Sequence, residues 1–349
     1  MKNLKLYISL TLLIFTLSLS AQKITIGTCQ TKDGGEYNGE IVSGRAHGKG
    51  KAVYPNGDTY EGSYEKGRRD GFGVYTFFDG EKYEGQWIQD HQHGKGTFHF
   101  LNGNKYSGLW YKDNQQGHGV MYYFNGDVYD GDWQMDKRDG LGKYTYQNGA
   151  YYDGTWRDDA KNGNGTFCWA DGTTYTGQWV NNRRSGKGTN KYSDGDVYNG
   201  QWLNDVPHGK GIYRFSNGDT YEGDYVNGRR TGEGIYRSNN GDLYKGHFLN
   251  GDKDSYGEMH FRNGDIYFGY WKNDVQNGTG KYVAKDGSVL EGTFSEGIPN
   301  GDFEIREANG ARYKGPYKNG QRHGKFVEID ASGNRTVREY VNGEVVGDE

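Results

Sequence analysis

Tyrosine recurs at positions 37, 60, 83, 106, 129, 152, 175, 198, 221, 244 and 267, always 23 residues apart, and Leu290 and Tyr313 continue the series. No insertion or deletion breaks this period over thirteen units, residues 37 to 335. Taking the tyrosine as offset 0, glycine fills offsets 2 and 20 in all thirteen units. It fills offset 11 in twelve, with Ser255 the exception, and offset 13 in eleven, with Phe303 and Phe326 the exceptions. A period this strict leaves one kind of architecture, an array in which each unit packs on its neighbours.

Composition agrees. The 349 residues include 60 Gly, 31 Tyr, 15 Phe, 8 Trp and only 4 Pro. A mean hydropathy of -1.03 suits a disordered chain, but disordered chains are poor in aromatics. Collagen is excluded because proline is nearly absent and glycine does not fall every third residue. Leu, Ile and Val are too scarce to fill the two cores of an ordinary enzyme of this length.

Each unit reads as two short strands. Tyr83-Glu84-Gly85-Gln86-Trp87 alternates apolar and polar residues, the period of a half-buried strand. The second strand follows the Gly-x-Gly, as in Gly94-Lys95-Gly96-Thr97-Phe98-His99-Phe100. Offsets 0, 4, 15 and 17 hold 40 aromatics on the glycine-bearing face. Offsets 19 and 20 read Asn-Gly or Asp-Gly in twelve units, the hairpin dipeptide whose residues both tolerate positive φ. Offset 7 is Gly, Asp or Asn throughout and marks the opposite turn. The expected fold is all-β: an elongated antiparallel meander, a trough-like β-hairpin solenoid. At ~4.8 Å between strands the thirteen units would extend roughly 125 Å.

Tyr-Glu-Gly-x-Trp, a Gly or Asp turn, His-Gly-x-Gly and Asn-Gly at period 23 resemble the MORN repeat, and residues 83–105 are similar to its consensus. The resemblance covers nearly the whole chain after residue 21. It implies a hairpin solenoid with roles in scaffolding, assembly or attachment at membranes, and no catalysis. Asn300-Gly301-Asp302-Phe303 and His323-Gly324-Lys325-Phe326 lose the second glycine, as in the looser variant common in exported bacterial proteins.

The ends set the domain boundaries. Lys2 and Lys5, an apolar run from Leu6 to Leu19, and Ser20-Ala21 form a secretory signal pattern with cleavage near residue 21. Residues 22–36 read as an N-terminal half repeat, 37–289 as eleven regular repeats, and 290–349 as degenerate repeats forming a cap. The mature chain would be exported, to the periplasm, the cell surface or the medium, with 40 basic against 46 acidic residues and a net charge of -6.

Few residues suggest chemistry. His47, His93, His208 and His323 all hold offset 10, at least two units apart, so they share no metal. His91, His93, His99 and His118 hold different offsets and fall on different edges and faces. No metalloprotease, nucleophile-elbow or phosphate-loop motif occurs. No catalytic residue, cofactor or metal is therefore expected. Cys29 and Cys168 are six units apart, too far for a disulfide, and should be free thiols.

The turn edge at offsets 8 and 9 carries twelve Lys and Arg, among them Arg68, Arg69, Arg138, Lys161, Arg184, Arg230 and Lys253. Ten Asp between offsets 7 and 10 nearly cancel them, which weighs against anionic phospholipid and nucleic acid. The leading reading is a non-catalytic scaffold presenting a long sheet face to a protein partner or to itself. The alternative is a cell-envelope glycan- or phospholipid-binding module. The candidate contact face is the aromatic row Trp87, Trp110, Trp133, Trp156, Trp179, Trp202 and Trp271.

Overall fold

The computed structural model describes residues 23–348, so the signal-like segment lies outside the described residues. Among these, every regular element is a strand. The chain divides into two compact units, one ending at Phe124 and one beginning at Asn125. The first holds nine strands, from Thr25–Gln30 to Asn114–Tyr122; the second holds twenty-one, from Val128–Gln134 to Glu344–Asp348. Within each, sequence neighbours pair antiparallel in an open meander, except that Gln321–Arg322 and Gly324–Ile329 both pair with Arg312–Lys318. The all-β hairpin solenoid expected from the period is what the chain forms.

One repeat shows the local logic. Thr174–Val180 and Arg183–Lys191 are joined at offsets 6 and 7 by Asn181 and Asn182, with φ of 47° and 68°. Both central residues are left-handed, the two-residue turn whose twist matches the flanking strands. The other connection, before Val197–Leu203, is a three-residue loop closed by Tyr192 N–H to the Asp196 carbonyl at 2.9 Å. There only Gly195 is left-handed, with φ 97°. The Asn-Gly dipeptides thus mark turns as expected, but of the other type: their Asn or Asp keeps negative φ, and the doubly left-handed turn sits at offsets 6 and 7. The two-residue turn matches the twist of its flanking strands only with both residues left-handed, while the longer loop needs one glycine at its end.

A bulge explains offset 11. Gly177 pairs with Gly188 and Trp179 with Arg184, so one residue, Gln178, faces three. Gly186 absorbs the extra length at φ 73°. Ser255 holds the same place at φ 57° without the freedom of glycine.

The paired glycines make a trench for the tyrosine ring. A Cβ on Gly188 would stand 2.3 Å from Tyr175 Oη, and one on Gly177 would stand 2.5 Å from the Gly188 Cα. Tyr175 lies fully buried across them, its hydroxyl donating to the Gln178 carbonyl at 3.0 Å. Its ring meets Trp179 of the same repeat and Trp202 of the next edge-on, both at 5.2 Å. The core is this alternating ring row, laid along one face of the sheet.

The degenerate repeats keep that core by a swap. Phe303, at the lost glycine position, is buried with its ring against the Gly292 backbone, while Leu290 is only half-buried. Phe326 does the same over Gly315. The edge-on row then continues Phe294–Phe303–Tyr317–Phe326–Tyr340 at 5.1–5.7 Å.

Candidate functional site

The seven tryptophans expected as a contact face are core residues instead. Trp87, Trp110, Trp133, Trp156, Trp179, Trp202 and Trp271 are only 3–6% exposed. The tyrosines of successive repeats cover the indoles: Tyr152, for example, meets both Trp156 and Trp179. Several indoles also spend their polar edge internally. Trp87, Trp110, Trp156, Trp179 and Trp202 each donate Nε1–H to the offset-13 glycine carbonyl of the preceding repeat, at 2.9–3.3 Å.

The basic edge is largely drawn into the same core. Arg69, Arg138 and Arg184 place their guanidinium carbons 4.4–4.6 Å from the ring centroids of Trp87, Trp156 and Trp202. Each also pairs with the offset-7 aspartate of the following repeat, Asp90, Asp159 or Asp205. Lys161 and Lys253 lie over Trp179 and Trp271, and burial pushes both ammonium groups below the usual lysine range. These cations stabilise ring packing, so the freely offered positive charge on this edge is smaller than the count of basic residues suggests.

A second ladder ties the loops together. Asp58, Asp127, Asp196, Asp219 and Asp265 at offset 21 accept from Tyr75, Tyr144, Tyr213, Tyr236 and Tyr282 at offset 15 of the next repeat. The other carboxylate oxygen accepts a backbone N–H from the next loop, Phe78 for Asp58 and Asn239 for Asp219. For Asp196, Asp219 and Asp265 the tyrosine hydroxyl is the main influence holding the carboxyl below the usual range. For Asp58 and Asp127 burial opposes ionisation, but the same kind of hydrogen bonds prevails. Sequence reasoning missed this ladder, although its signal is present: every offset-15 tyrosine follows an aspartate 17 residues earlier.

With the rings turned inward, the accessible surface is the opposite face. In the second unit an open groove of about 940 Å³ runs across several strands, lined by Lys187, Gln201, Lys210, Glu222, Glu233 and Lys245 among others. In the first unit a groove of about 680 Å³ occupies the same offsets, lined by Phe72, Glu84, Lys95, Leu109 and His118. The first unit also exposes an apolar side chain at three successive loop tips, Phe78, Leu101 and Phe124, all 68–80% exposed. Among the described residues no group of three or more His, Cys, Asp or Glu is placed to hold a metal ion. Both cysteines are free thiols.

A family model described as MORN repeat matches eleven consecutive segments, 37–59 through 267–289, and again 313–335. The unmatched 290–312 holds the first ring swap, Leu290 with Phe303. No curated protein matches the chain. Among solved structures, the TCP domain of SAS-4 (dCPAP) from Drosophila melanogaster, in complex with a proline-rich motif of Ana2, is 18% identical over 45% of this chain and 85% of that one, with a TM-score of 0.30. The TCP10 domain of Danio rerio CPAP, in complex with a STIL peptide, is 12% identical over 86% of this chain and 98% of that one, with a TM-score of 0.25. Virginiamycin B lyase from Staphylococcus aureus is 14% identical over 68% and 74%, with a TM-score of 0.14. Scores this low carry no functional argument.

Proposed function

The chain belongs to the MORN-repeat family, and on that premise we propose that it is a non-catalytic, exported scaffold that holds a protein partner along its grooved face. The observation that supports this most is the division of labour between the two faces. Offsets 0, 2 and 13 repeat almost without change because ring and glycine must fit each other. Offset 12, on the grooved face, changes from Lys49 to Phe72, Lys95, His118, Leu141 and Asn164 in successive repeats. A surface whose side chains vary along a regular frame, repeating only once in succession at Lys187 and Lys210, is suited to reading one particular partner, the use to which repeat proteins put extended faces. Export rests on the Lys2–Ala21 pattern.

The test is capture from a cell-envelope fraction by the mature chain, followed by charge reversal in the groove, Lys187→Glu with Lys210→Glu and Lys245→Glu. The expected result is loss of a specific captured protein, with the melting temperature held. Capture unchanged by the triple variant, or salt-sensitive pelleting with anionic vesicles in its place, would sink the proposal. Mass spectrometry of the N-terminus should find the chain starting near residue 22; retention of Met1–Ala21 in the exported fraction would refute cleavage.

A further inference from the structure

The outer aromatic row has one internal vacancy. At offset 17 the residues from 54 to 261 are Tyr, Phe or Trp in every repeat except at Ser238. Where offset 15 of the same repeat is also aromatic, the offset-17 ring lies 4.5–4.7 Å from it, as Tyr75–Phe77, Phe98–Phe100, Phe167–Trp169 and Tyr213–Phe215 show. Tyr236 has no such neighbour on its Ser238 side, and a cavity of about 370 Å³ opens there. That is within the ~300–1,000 Å³ of small-ligand pockets.

Two further departures from the repeat converge on the same cavity. Asp242 is the one offset-21 aspartate not followed by a tyrosine, because offset 15 of the next repeat is Met259. Its carboxylate accepts from Asn240 and the Arg262 backbone but receives no hydroxyl. Lys253 stands where Arg69 and Arg184 cover the preceding offset-17 rings, Tyr54 and Trp169. Beneath Lys253 that place belongs to Ser238, and among the described residues its ring contacts are Tyr244 and Trp271. Ser238, Asp242, Lys253, Met259 and Tyr236 all line the cavity.

We propose that this cavity binds a phenol: the ring takes the vacant place beside Tyr236 and under Lys253, and the hydroxyl donates to Asp242. Each of the three contacts copies one the chain makes internally in other repeats. An aromatic face suits the lysine cation better than a sugar ring does, and a carboxylate lacking its hydroxyl donor selects a phenol over a plain phenyl ring. The phenol has two sources, a free phenolic compound or a tyrosine side chain of a bound partner. Only the second rests on the scaffold reading.

The test uses the whole mature chain with N-acetyl-tyrosinamide, N-acetyl-phenylalaninamide, 4-methylphenol and methyl glucoside, followed by saturation-transfer NMR and calorimetry. The tyrosyl amide and 4-methylphenol should bind, the phenylalanyl amide about tenfold more weakly, and the glucoside not at all. Ser238→Phe fills the vacancy and should abolish binding. Met259→Tyr satisfies Asp242 from within and should remove the preference for the hydroxyl. Both variants install residues other repeats carry at these offsets, and an unchanged or raised melting temperature verifies folding. Absence of binding by both phenols, binding that persists in Ser238→Phe, or preference for the glucoside would each overturn the assignment. A chain that captures a protein partner yet binds no phenol overturns the pocket and leaves the scaffold standing; a chain that binds phenols and captures nothing supports the pocket alone. A tyrosine-containing peptide binding no more tightly than 4-methylphenol assigns the site to free phenols.

Discussion

Transplanting the ring swap of the degenerate repeats into a regular one tests the packing argument most directly. Gly188→Ala puts a Cβ 2.3 Å from Tyr175 Oη and 2.5 Å from its Cε2 and Cζ, so the ring must leave its trench. Overpacking of this kind costs about 1–3 kcal/mol. Loss of the hydroxyl bond to the Gln178 carbonyl adds about 1 kcal/mol. Weakening of the edge contacts with Trp179 and Trp202 adds about 0.5–1.5 kcal/mol each. The sum is roughly 3–7 kcal/mol. Tyr175→Leu alone leaves a hole and should cost about 2–4 kcal/mol. The double variant Gly188→Phe with Tyr175→Leu rebuilds the Phe303–Leu290 arrangement, in which the ring comes from the opposite strand. It should be less destabilised than the sum of its single changes by about 3 kcal/mol. Hydrogen exchange of the strand amides between 174 and 203 reads the effect where it arises, with the amides of 37–53 as an internal control. A Gly188→Ala cost below about 1 kcal/mol, or strictly additive behaviour of the double variant, would refute the trench as the reason for the paired glycines.

Four further outcomes are expected. Ser255→Gly should stabilise by about 0.5–1 kcal/mol, because relief of a left-handed non-glycine residue is partly offset by the added freedom of the unfolded chain; a fall in urea midpoint would contradict the strain at φ 57°. Burial raises Tyr37, Tyr175 and Tyr221 to about 12. The unfolded chain therefore ionises first on alkalinisation, and stability present below pH ~10 should be lost as pH climbs toward 12. The five ladder aspartates have lowered folded values, so their contribution is present above the unfolded value near 4 and is lost as pH falls through the folded ones. A melting temperature unchanged from pH 9 to 12 would contradict the buried phenols. Deleting residues 175–197 in register should leave a folded chain, because each repeat meets the same neighbours on either side; loss of the β-sheet circular dichroism signal would count against it.

The period, the all-β fold and the sharing of one face by rings and glycines were legible in the residue order. Each follows from alternation along a strand and from the spacing of Tyr175, Gly177 and Gly188, which repeats in every regular unit. The two turns were legible as places but not as types, since an Asn-Gly pair permits positive φ at both residues without requiring it. Twist and loop length put the doubly left-handed pair at Asn181 and Asn182 and left Gly195 alone to close the other loop. The misplaced element was the contact face. Alternation shows that Trp179 shares a side with Tyr175, but the edge-on contacts and the carbonyl of Gly165 that close it off come from packing and pairing between repeats. The same holds for Arg184, whose charge reads as a surface feature until its place over Trp202 is known. It holds also for Phe303, which looks like a lost glycine and is a ring supplied from the other strand. Spacing along the chain fixes which residues return to the same side of the sheet. Which of them cover one another, and which vacancy is left at Ser238, depends on lateral distances of a few ångströms that exist only once neighbouring repeats are paired.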